Sequence, residues 1–340
     1  MKRKILLILL GSALLIFVFL IYLIFTRQPG QSDVVQIPVL DQDLELPNPI
    51  KGNVPVGIVD SPEVKTEIPS ELSFLQYELK NLSRSSIDQM AQNLNFIGDP
   101  YEINDASEGK KYAWVSDDYY FWATPKKSNL RYGMNQLPTL STESNLTEDQ
   151  IRNLAINFTS NKFEFDNEVL GVASVVPLEL SGQQESGFIP TTKDNAQVYQ
   201  VNFFYKDAGH IIFTTIPSHP TIFVQILANG TIYKAEAYVF NKINPSDEKY
   251  PILDPEEIQN NLSEAKLNTF LNDYINVNEI KVEDIRFIEI SSVTLGYFFD
   301  QIEVNSPLQP VYLLEGKTKI DGYQADFAQL YLPAIDSANR

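Results

Sequence analysis

Apolar and polar positions follow different periods along this chain, and each period points to a different element. Residues 5–25 show no alternation at all: they are apolar and uncharged, and they approach the ~20 residues a helix needs to cross hydrocarbon. A secretory signal peptide is the competing reading. Its apolar core spans roughly 7–15 residues and leads to a small-residue cleavage site, which Phe25-Thr26-Arg27-Gln28-Pro29 does not supply. We read the run as an uncleaved transmembrane anchor. Lys2, Arg3 and Lys4 precede it, whereas only Arg27 follows closely. That asymmetry puts the N-terminus in the cytoplasm and the bulk of the chain outside the cell membrane. Within the run, Gly11, Ser12 and Ala13 form a small patch that lets a partner helix approach, with ordinary membrane sequence as the alternative.

Residues 28–67 hold Pro29, Pro38, Pro47, Pro49, Pro55 and Pro62 and no aromatic residue, the composition of a stiffened spacer. An N-terminal strand over Val54 to Val59, pairing onto the first unit, is the alternative there. Three helix signals follow. The first starts at Ser85 or Ser86 and carries Ile87, Met90, Ala91 and Leu94 on one face. The second has a capping box at Thr147 and Gln150, ahead of Ile151, Leu154, Ala155 and Phe158. The third opens on Asp254, Pro255, Glu256 and Glu257, with apolar positions continuing from Ile258 to Phe270.

Between and after these helices the period drops to two. Tyr199, Val201, Phe203 and Tyr205 alternate with Gln200 and Asn202, as a strand with one buried face requires. Asn229-Gly230 between two apolar runs predicts a hairpin, and Asp207 to His210 predicts a turn. Further short strands are expected at 286–290, 292–299, 309–315 and 327–332. Helices followed by antiparallel strands predict an α+β fold of tandem helix-plus-sheet units. The expected divisions are 1–27 for the cytoplasmic tip and anchor, 28–67 for the spacer, and units at 68–144, 145–245 and 246–340.

Composition narrows the function. The chain has 44% hydrophobic residues with 17 Tyr and 20 Phe, so the outer part can bury proper cores. Its net charge is −18, and the basic residues flanking the anchor make the remainder more acidic still. Such a surface repels nucleic acid and anionic headgroups. There is no cysteine, which removes disulfides and a lipid-modified cysteine from consideration.

Ile290-Ser-Ser-Val-Thr-Leu-Gly-Tyr297 followed by Leu308-Gln-Pro-Val-Tyr312, together with Leu227-Ala-Asn-Gly-Thr-Ile232, resembles the extracytoplasmic YycH/YycI regulatory proteins and their PepSY-like units. The matching positions are Leu295, Gly296, Tyr297, Pro310, Val311, Tyr312 and Gly230. The layout of basic tip, anchor and tandem units is similar too. The resemblance covers residues 1 to about 335, through motifs made mostly of packing and turn residues. It implies no catalytic residues; it implies regulation by contact with a membrane partner such as a sensor kinase. The longer spacer departs from that pattern.

The candidate chemistry is sparse. His210 and His219, with Asp207 nearby, lack metal-ligand spacing and read as loop histidines. Asp117-Asp118, Glu256-Glu257 and the pair Asp41 and Asp43 are carboxylate pairs without a visible cleft. Trp114, Tyr119, Tyr120 and Trp122 suit sugar stacking, although an aromatic strand core explains them as well. No cofactor and no metal is expected. The leading expectation is a membrane-anchored, non-catalytic binding or regulatory module. A cell-wall glycan or peptide binder comes second and a hydrolase third.

Overall fold

The structure, a computed structural model, describes residues 54–106, 108–144, 146–180, 188–271, 280–301, 306–322 and 327–335. All belong to one unit, Leu44–Arg340. Residues 5–25, with Gly11, Ser12 and Ala13, lie outside the described residues, as do spacer residues 28–53. Among the described residues no helix is long and apolar enough to cross a membrane.

Strand β1 (Val56–Val64) comes first, then the short β2 (Glu71–Leu72) and β3 (Leu75–Leu79). Helix α1 (Arg84–Asn93) follows, capped earlier than expected: Ser83 Oγ accepts the Ser86 N–H at 3.1 Å. Next are β4 (Tyr101–Asp105), β5 (Gly109–Val115), β6 (Tyr119–Thr124) and β7 (Asn129–Met134). Helix α2 (Glu148–Lys162) begins at the expected capping box, where Gln150 N–H donates to Thr147 Oγ1 at 3.3 Å and Thr147 N–H to Gln150 Oε1 at 2.8 Å. Then come β8 (Leu170–Leu180), β9 (Phe188–Pro190), β10 (Val198–Tyr205), β11 (Ile211–Phe213), β12 (Ile222–Leu227) and β13 (Ile232–Tyr238). The chain continues with β14 (Phe240–Pro245), β15 (Tyr250–Pro251), helix α3 (Pro255–Asn261), β16 (Lys266–Leu271), β17 (Ile285–Phe298), β18 (Gln309–Ile320) and β19 (Phe327–Pro333).

These strands do not form tandem helix-plus-sheet units, and the α+β expectation is corrected to a mostly β fold. One antiparallel nine-stranded sheet runs β4-β5-β6-β7-β13-β12-β10-β8-β9. It joins strands from both sides of α2, because β7 pairs with β13 rather than closing a sheet of its own. A six-stranded sheet runs β1-β17-β18-β19-β16, with β11 also on β17. Here two pairings are parallel: β1 lies along the first part of β17 and β11 along its last three residues. A strand does form after Val54, but it pairs with β17, in the expected third unit, rather than onto the first. Two small ribbons, β14-β3 and β15-β2, complete the pairing.

Only three short α-helices occur among the described residues. Helices α1 and α2 cover one face of the nine-stranded sheet: Ile87, Met90 and Ala91 of α1 and Ile151, Ala155 and Phe158 of α2 pack with Phe121, Leu130, Val201, Phe203, Val224 and Ala235. Each such large side chain contributes roughly 1.5–3 kcal/mol by leaving water. Helix α3 has the expected cap, with Asp254 Oδ1 accepting from Glu256 and Glu257 N–H at 2.9 Å each. It stops at Asn261, however, and residues 266–271, expected to be helical, form an edge strand on β19. Sheet pairing overrides the helical spacing there. The Asn229-Gly230 hairpin joins β12 to β13, but only Gly230 takes a left-handed φ, at 88°, and the register slips by one beside it.

Candidate functional site

The face of the nine-stranded sheet turned away from the helices carries two rows of side chains in register. One runs Tyr120, Gly133, Lys234, Gln225, Gln200, Val176; the other runs Trp122, Arg131, Glu236, Phe223, Asn202, Ser174. This face does not simply meet water. Part of it lies opposite the six-stranded sheet, where Ser292, Glu315 and Gln329 stand in register across β17, β18 and β19. A cleft of about 970 Å³ separates the two.

Within each wall the polar groups are tied to one another. Gln225 Nε2 donates to Gln200 Oε1 at 2.8 Å; Gln200 Nε2 donates to Asn202 Oδ1 at 2.8 Å and to the Ser218 carbonyl at 2.7 Å. Asn202 Nδ2 donates to Ser174 Oγ at 3.0 Å. On the opposite wall Glu315 accepts from Lys65 Nζ at 2.6 Å, Ser292 Oγ at 3.3 Å and Gln329 Nε2 at 2.9 Å. Gln329 Oε1 is buried and meets no donor among the described residues.

The outer edge of β8 opens into the same cleft. Seven consecutive residues, Val172 to Leu178, line it. A strand seen face-on contributes alternate residues, so an unbroken run marks an edge. Among the described residues, strand β9 pairs only with Leu178 to Leu180. The Thr191 N–H reaches the Pro177 carbonyl at 2.9 Å, which sets the outward side. By the antiparallel alternation, Val175 two residues back presents its N–H and C=O on that side as well.

Both histidines line this cleft. His219 stacks on Phe223, with ring centroids 4.8 Å apart. Burial, aided by the positive charges of Lys234 and Arg131, pushes its pKa down to about 3. His210 is lowered by burial too, against the opposing charge of Glu67. Among the described residues no three His, Asp or Glu side chains gather as a metal site would need. Lys234 Nζ lies 5.6 Å from the centroid of the Phe223 ring.

The family-like positions sit elsewhere. Leu295, Gly296 and Tyr297 pair directly with Tyr312, Val311 and Pro310 across β17 and β18. A Cβ on Gly296 would come within 2.6 Å of the Ile211 carbonyl, so glycine admits β11 there. Tyr297 Oη donates to the Ser73 carbonyl at 3.0 Å, and Tyr312 Oη to the Leu253 carbonyl. None of these residues lines the cleft, nor does Gly230 at its turn. Asp117-Asp118 lie at the turn between β5 and β6, and Glu256-Glu257 in the first turn of α3, while Asp41 and Asp43 are outside the described residues. Of the aromatic group, Trp114 is core, with Nε1 donating to the Gly98 carbonyl at 3.0 Å, and Tyr119 stacks on Tyr132. Tyr120 and Trp122 face the other way.

Sequence reasoning missed the amide row, Lys234 and the Glu315 cluster. Their one signal was polar residues recurring at every second position of apolar strands. No family model matches the chain, and no curated protein is similar to it. Among solved structures it is similar to an uncharacterized protein from Eubacterium rectale ATCC 33656, at 12% identity over 82% of this chain and 87% of that one, with a TM-score of 0.44.

Proposed function

We propose that this protein is a non-catalytic binding module, anchored at the cell membrane by residues 5–25 with its bulk outside, that captures an extended peptide segment of a membrane-associated partner protein. The observation that carries this reading is the edge of β8 in the cleft, which among the described residues no strand covers from Val172 to Val176. Unpaired N–H and C=O groups on a sheet edge are a template for an added strand, and alternate side chains of that strand find the cleft wall. The basic Lys2, Arg3 and Lys4 ahead of the apolar run support the location, and the resemblance of the 290–312 motif to extracytoplasmic regulators supports action by contact. A non-catalytic role is supported by the same resemblance, which implies no catalytic residues.

The test is full-length protein in detergent micelles, titrated with a fluorescent random octapeptide pool and with the same pool N-methylated at alternate positions. Edge pairing requires that the methylated pool bind much more weakly, because methylation removes the strand's donors. Equal binding would sink it. A photoreactive residue in place of Ala173, which is exposed on β8, would then identify the natural segment by crosslinking and mass spectrometry.

A second reading, a glycan binder, rests on Tyr101 and Trp122. They flank Ala113 in register on β4, β5 and β6 and are 70% and 38% exposed, a platform on which sugar rings can stack. Quenching or enhancement of Trp122 fluorescence by solubilised wall fragments would support it, and an unchanged spectrum would remove it.

A further inference from the structure

The polar groups of the cleft are largely spent on one another, and Lys234 stands apart from them. In a chain of net charge −18, it makes no ion pair or hydrogen bond among the described residues, and its ammonium lies 5.6 Å from the centroid of the Phe223 ring. Its nearest acid along β13, Glu236, is engaged by Arg131 Nε at 2.9 Å and Asn129 Nδ2 at 3.1 Å. Burial lowers the Lys234 pKa, with Glu236 opposing and Arg131 adding to the effect. A partly desolvated ammonium without an anion is costly, and an incoming carboxylate relieves that cost.

Its position gives the carboxylate an address. Val176, Gln200, Gln225 and Lys234 lie in register across β8, β10, β12 and β13, so the row leads inward from the open edge. Three strand spacings are about 14 Å, the length of roughly four extended residues. Gln200 and its neighbours already share their amide hydrogens, which makes this floor rigid and leaves the charge at its far end as the feature to be met.

We infer that the cleft recognises a chain end: upstream residues of the captured segment pair with the β8 edge, its last few cross Gln200 and Gln225, and its C-terminal carboxylate meets Lys234. This rests on the peptide-binding reading above. The partner is thus a protein that offers a free C-terminus, rather than an internal loop.

The experiment compares three N-terminally labelled random octapeptide pools on the full-length protein in micelles. One pool lacks Asp and Glu and ends in a free carboxylate; one lacks Asp and Glu and ends in a carboxamide; one is amidated but contains Asp and Glu. The free-acid pool should bind about tenfold or more tighter than the plain amide, as expected for one charge-assisted contact. Lys234→Met should reduce it to the amide level, and Lys234→Arg should retain most of the preference. Unchanged melting temperatures for both variants separate loss of recognition from loss of fold. Equal binding of free acid and plain amide, with Lys234→Met without effect, overturns the inference while leaving peptide capture standing. Acidic amidated peptides matching the free acid overturn it in favour of side-chain recognition. Binding of no pool at all overturns peptide capture itself, and this inference with it.

Discussion

Gln200 and Gln225 face each other across β10 and β12, and the Gln225 amide donates to the Gln200 carbonyl at 2.8 Å on a surface only 5% exposed at either residue. Gln225→Leu should therefore destabilise the protein by about 1–3 kcal/mol, since it leaves a buried Gln200 oxygen without a donor. A double-mutant cycle with Gln200→Leu, measured by urea denaturation, should show clear coupling. Additive losses would mean the bond contributes nothing.

Glu315 and Lys65 are not equal partners. Lys65 is 41% exposed and Glu315 11%, so Lys65→Met should cost less than about 1 kcal/mol. Glu315→Ala strips an acceptor from Gln329 and Ser292 as well and should cost roughly 1–3 kcal/mol. Comparable denaturation midpoints for the two variants would contradict this.

Two glycines should respond differently to a methyl group. At Gly296 the added Cβ would stand 2.6 Å from the Ile211 backbone carbonyl, which is held by strand pairing, whereas at Gly171 it would stand 2.4 Å from the half-buried Phe204 ring, which can turn aside. Gly296→Ala should thus cost about 1–3 kcal/mol or more, and Gly171→Ala less. Thermal melts of the two variants decide it.

His219 makes the fold acid-sensitive. Its ordinary pKa of 6.5 applies in the unfolded chain and falls to about 3 when folded. Below 6.5 the unfolded state therefore binds the extra proton, and stability is lost as pH drops from 6.5 toward 3. Discounted for the part of the ring that still meets solvent, the loss is roughly 2 kcal/mol. His219→Phe should flatten the melting temperature against pH across that window, and an unchanged slope would rule the histidine out.

The helix starts were legible where a side chain caps the backbone: Thr147 with Gln150 and Asp254 with Pro255 announce their turns locally. Gln200 and Asn202 were legible as the second face of β10 but not as a buried one, because burial there depends on β17, β18 and β19, more than 80 residues away in sequence. The run ending at Phe270 kept a helical spacing and still joined β19. Nothing within a strand records which partner will pair with it, so β7 joining β13, and with it the single large sheet, lay beyond local pattern. The cleft inherits that limit, since its walls come from strands that meet only in three dimensions.

The shared edge of β17 has a consequence for how the chain is made. Strands β1 and β11 both wait for the same parallel partner, residues 285–298, which the ribosome delivers after both of them. Loop closure over such separations is slow, and until then both strands carry open edges. A message truncated before residue 285 would leave both edges permanently open, a product prone to aggregate rather than a smaller working protein.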